Sequence, residues 1–92
     1  MIRLWGIIRN HNKIRENVVV ELDGDDLADV VTDGIQAICE KLDLPRPIML
    51  RKHWNELLDF HRTRFLQSDF VEPIAFDALE VEHLIERKKD RN

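Results

Sequence analysis

The side chains that could do chemistry together are His53, Glu56, Asp59 and His61, four titratable groups within nine residues. On a regular helix His53 and Glu56 lie one turn apart, and His61 lies two turns from His53 on the same broad side. Imidazole and carboxylate at such separations can hold a metal or pass a proton. No second Glu-x-x-His unit and no cysteine cluster completes a ligand set. His61 also falls on an apolar stripe, where a partly buried histidine satisfied by a neighbouring acid is the simpler reading. The four residues therefore stand as weak metal candidates, and no metal or other cofactor is expected.

Other catalytic patterns fail on spacing or context. Asp23-Gly24-Asp25-Asp26 begins like a calcium loop, but Ala28 stands where glycine is required and Gly34 where a bidentate glutamate is required. Acids at a helix start account for it. Ser68, the only serine, lacks a Gly-x-Ser-x-Gly elbow and reads as a turn or capping residue. Cys39, the only cysteine, falls beside an apolar helical stripe, as an inert thiol does. The glycines are too dispersed for a phosphate-cradling loop. No catalytic residue is assigned.

Two binding surfaces are legible. Arg46, Arg51, Lys52, Arg62 and Arg64 interleave with Trp54 and Phe65, a pattern that can grip phosphates and stack bases. The sequence pI of about 5.5 weighs against strong nucleic-acid binding. The second surface is Trp5, Ile7 and Val19, bordered by Arg3, Arg9, Arg15 and Glu21. It is either a protein interface or a patch covered by the second helix or the C-terminal segment.

The elements that must position these residues follow from periodicity. Residues 2–9 and 14–22 alternate as two strands, with Leu4, Val18 and Val20 on one face and Trp5, Ile7 and Val19 on the other. Ile14 is placed with Val18, which leaves Glu16 as an acid on an otherwise apolar face. Setting Leu4 beside Val18 or Val20 requires paired numbers with an even sum, hence an odd loop of three residues. Residues 24–43 form an amphipathic helix with Leu27, Val31, Gly34, Ile38 and Leu42 inward, Asp23 or Asp25 as cap, and Pro45 as terminator. Gly34 on the buried stripe implies close approach to the sheet. Ile48 to Leu50 can form a short strand. A second helix starts near Arg51 or Lys52, and Trp54, Leu57, Leu58, His61 and Phe65 share one helical face. Residues 74–85 alternate around Leu79-Glu80-Val81-Glu82 as a strand, although Asp77 to Glu80 resembles a capping box.

The expected architecture is one α+β domain over 1–92: a small antiparallel sheet, made of the N-terminal hairpin plus a later strand, packed with two helices. Residues 88–92 alone suggest disorder. Net charge is −4, distributed as +2 over 1–22, −6 over 23–43, +3 over 44–67 and −3 over 68–92. There is no secretory pattern and no apolar run of transmembrane length, which points to the cytoplasm and away from membranes. The leading functional expectation is a non-enzymatic protein-interaction or accessory module, with a homodimer as one form. Nucleic-acid or polyanion binding through 46–64 is the alternative, and a metal protein or enzyme using His53, Glu56, Asp59 and His61 the second.

Overall fold

In the computed structural model, residues 1–84 are described. The reading of 88–92 as disordered lies outside the described residues. Strand β1 (Ile2–Asn10) and strand β2 (Lys13–Leu22) form the hairpin. Leu4 pairs with Val20 and Gly6 with Val18, the even register that the apolar alternation demands. The loop is nevertheless two residues long, not three. His11 and Asn12 take φ of 54° and 65°, the left-handed values that a tight type I′ connection needs. The parity is restored by a β-bulge: Ile8 pairs with Glu16 but Arg9 with Ile14, leaving Arg15 as the extra residue. Beyond the bulge Ile14 shares a face with Arg9 rather than with Val18. Asp77 ties the turn down, its Oδ2 accepting from the His11 N–H at 2.9 Å.

Helix α1 (Leu27–Leu42) begins later than the pattern suggested. Asp26, not Asp23 or Asp25, is the cap, and its Oδ1 accepts from the N–H groups of Ala28 at 2.9 Å and Asp29 at 3.4 Å. The helix stops at Asp43, in the left-handed conformation at φ 57°, two residues ahead of Pro45. Val30, Val31, Gly34, Ile35, Ile38 and Cys39 are buried, whereas Leu27, in the exposed first turn, is 36% accessible. The expected close approach is reciprocal. Ile38 sits over Gly6 of β1, while Leu4 of β1 sits over Gly34 of the helix.

Ile48 to Leu50 form no strand; only Pro47 bridges to Phe70. Helix α2 (Arg51–Phe60) starts where expected and ends at Phe60, so the helical stripe does not run on through His61 to Phe65. His61 takes φ 63° and turns the chain into β3 (Arg62–Leu66). Phe65 is thus on a strand, and Leu58 lies 59% exposed off the buried face. A short 3₁₀ turn (Gln67–Asp69) follows and contains Ser68. Strand β4 (Ala78–Leu84) then inserts into the middle of the sheet. The capping-box reading of Asp77 to Glu80 does not hold.

The sheet has four antiparallel strands in the order β2-β1-β4-β3. This is the expected α+β class, with two later strands instead of one. Both helices lie on one face. α1 covers β1 and β2 through Gly34 and Ile38, and α2 covers β3, with the His53 ring 4.3 Å from that of Phe65. The core between helices and sheet includes Leu4, Ile8, Val20, Leu57, Phe65, Phe76, Leu79 and Val81.

Candidate interface on the helix-free face of the sheet

Alternation along four strands gives the sheet a second face. Two cross-strand rows occupy its centre: Val19, Trp5, Glu82 and Arg62, then Asn17, Ile7, Glu80 and Arg64. A third row sets Glu21 beside Arg3 and Leu84. No helix packs here among the described residues. Trp5 is half-buried, its Nε1 donating to Asn17 Oδ1 at 3.1 Å. Ile7 is buried between its partners, while Val19 is 45% exposed.

Charge is organised around Glu80. Its Oε1 accepts from Arg9 Nε at 2.9 Å and its Oε2 from Arg64 Nε at 3.0 Å. Partial burial pushes this carboxyl up, but hydrogen bonds and charges from both arginines outweigh it and hold Glu80 below its ordinary value. Arg64 comes from the β3 edge and Arg9 from β1, so the clamp spans three strands. Beside it a cavity of about 400 Å³ runs from Arg62, Arg64 and Glu80 round the β3 edge to Glu56 and Phe60 of α2.

Trp5, Ile7 and Val19 therefore share one face of the sheet, as the hairpin parity implies, but only Trp5 and Val19 of the three are accessible on it. The basic candidates do not gather. Arg46 donates to Gln36 Oε1 of α1 at 3.2 Å. Arg51 and Lys52 are exposed at the start of α2. Arg62 and Arg64 are on the opposite, helix-free face, and Arg64 is already engaged by Glu80.

The four metal candidates separate as well. His53 is fully buried; its Nδ1 accepts from the Leu50 N–H at 2.9 Å, so the ring proton is on Nε2. That Nε2 is 3.4 Å from Asp69 Oδ2, which accepts from the Leu66 N–H at 2.9 Å. Glu56 accepts from Thr63 Oγ1. Asp59 is exposed, and His61, expected to be partly buried against an acid, is an exposed helix cap. The histidine buried near an acid is His53, and the acid is Asp69. His61 instead meets His83 edge-on, ring centres 6.2 Å apart. Burial, then the His61 charge, lowers the pKa of His83. Among the described residues no three His, Cys, Asp or Glu side chains converge as metal ligands would.

Cys39 is buried in α1, and burial chiefly pushes its thiol up to about 11, so it is protonated at neutral pH. No described helix is long and apolar enough to cross a membrane. The structure thus defines a small α+β domain with helices on one side of an antiparallel sheet and a mixed apolar and charged surface on the other. Comparison with family models, curated proteins and solved structures finds no match.

Proposed function

We propose that the protein is a non-enzymatic interaction module that engages a protein partner through the helix-free face of its sheet. The observation that carries this reading is the placement of both helices on the same side. Trp5 and Val19 are left accessible over buried Ile7, within a rim of Arg3, Glu21, Glu80 and Arg64. An apolar centre with an aromatic anchor and a charged rim is the anatomy of a binding patch. The fixed Arg9–Glu80–Arg64 clamp adds preorganised charge beside it.

The test is recovery of a specific partner on untagged protein from its native host, with two variants in parallel. Trp5→Ala should abolish recovery while its circular dichroism matches wild type. Leu58→Asp, on the exposed side of α2, should leave recovery unchanged. Equal recovery with Trp5→Ala, or salt-sensitive retention of nucleic acid instead of protein, refutes the proposal.

A further inference from the structure

Strand β2 is one edge of the sheet, and its outer backbone can be assigned. A two-residue turn closes on a hydrogen-bonded pair, here Asn10 with Lys13. Carried along the ladder and across the bulge, this alternation turns the backbone of Val18, Val20 and Leu22 toward β1. It turns Asn17, Val19 and Glu21 outward. The far side of the sheet gives the same parity, since the His83 N–H donates to His61 C=O at 2.7 Å.

Natural edges are blunted by bulges, proline or charge. The bulge at Arg15 blunts only the hairpin end of β2. The remaining Asn17-Val18-Val19-Val20-Glu21 is β-branched at its centre, contains no proline or lysine, and is charged only at its end, Glu21. It also lies at a concavity of about 480 Å³ lined by Val19, Leu22, Ala37 and Lys41.

The charges around this edge are complementary to a rotated copy of themselves. A twofold axis at Val19 sets Val19 against its own copy, Val18 against Val20, and Asn17 against Glu21. One step further, Glu16 of one copy comes opposite Leu22 of the other, on the helix-bearing side where Lys41 stands. Arg15 comes opposite Asp23. Among the described residues none of Arg15, Glu16, Asp23 and Lys41 takes part in an ion pair within the chain. Glu16, the acid out of place on the apolar face of β2, acquires a partner in this arrangement.

We propose that the protein self-associates edge to edge through β2, two copies forming an antiparallel ladder about a twofold axis at Val19. The edge shares Val19 and Glu21 with the helix-free face, whose Trp5 and Glu80 rows stay open in the assembly.

Sedimentation velocity from low to high micromolar concentration tests the proposal. Wild type should shift from monomer to dimer. Val19→Pro removes only an outward N–H, which an edge strand tolerates, and should stay monomeric with an unchanged circular dichroism spectrum. Glu16→Lys and Lys41→Glu should each weaken the dimer by about tenfold, because each contact occurs twice. The double variant Glu16→Lys/Lys41→Glu should recover wild-type affinity. Trp5→Ala should leave the dimer intact. A wild type that stays monomeric, a folded Val19→Pro that dimerises normally, or a double variant weaker than both singles overturns the proposal. Should Val19→Pro fail to fold, the charge exchange decides alone.

Discussion

Replacing Gly34 by alanine sets two effects of opposite sign against each other. Alanine in a helix interior is favoured over glycine by about 1 kcal/mol. At this position, however, the added Cβ would meet Leu4 Cδ1 well inside 3.0 Å and Leu22 Cδ1 at 2.9 Å. Leu4 is fully buried, so its side chain has no open space into which to swing. Overpacking of this kind costs about 1–3 kcal/mol. The net expectation is destabilisation by about 1 kcal/mol, read by urea denaturation followed at 222 nm. Leu4→Val removes the nearer of the two clashing carbons, Leu4 Cδ1, at a cost of about 1 kcal/mol for the lost burial. Combined, the two substitutions should cost less than their separate sum by about 1 kcal/mol. Stabilisation by Gly34→Ala alone would show that propensity wins, and the reciprocal contact between α1 and β1 would be wrong.

Two further outcomes concern the charged groups. The folded-state pKa of His83 is depressed, so its contribution is present above the unfolded value near 6.5 and lost as pH falls through the lower folded value. Thermal stability should decline as pH drops below about 6.5, and His83→Gln should flatten that decline; an unaltered profile would contradict the assignment. Glu80 is also depressed, and its contribution is lost at lower pH, as the clamp protonates below the ordinary carboxylate value of 4.5. Glu80→Gln should cost about 1 kcal/mol at neutral pH, because a partly buried two-arginine network exceeds a lone surface pair, and almost nothing once the carboxyl is protonated. A cost that does not vary with pH would locate it in packing instead.

The hairpin and α1 are legible in the sequence because each keeps one period over many residues. The parity of Leu4 with Val20 is also legible, and from it the grouping of Trp5, Ile7 and Val19. The loop length is not, because a bulge at Arg15 changes the count without disturbing the apolar register. Strand β3 is hidden for a different reason. Trp54, Leu57, His61 and Phe65 fall at helical spacing by coincidence, while the alternation Thr63, Phe65 against Arg62, Arg64, Leu66 occupies only five residues. Without β3 the Glu80 clamp cannot be foreseen, since Arg64 reaches Glu80 only as its cross-strand partner. The approach of His53 to Asp69 is equally invisible, because it joins the start of α2 to the turn after β3.

The placement of β4 has a consequence for synthesis. It is the last described strand in chain order, yet it lies between β1 and β3 and, among the described residues, is the only strand that touches both. Until it emerges, the inner flank of β1 and the whole of β3 have no ladder to join. The hairpin with α1 and the unit of α2 with β3 must then wait as two separate pieces. Closure depends on contacts between distant parts of the chain, which slows folding. A ribosome that stalls before residue 78 would release a chain with two unsatisfied strand flanks, a species prone to aggregate.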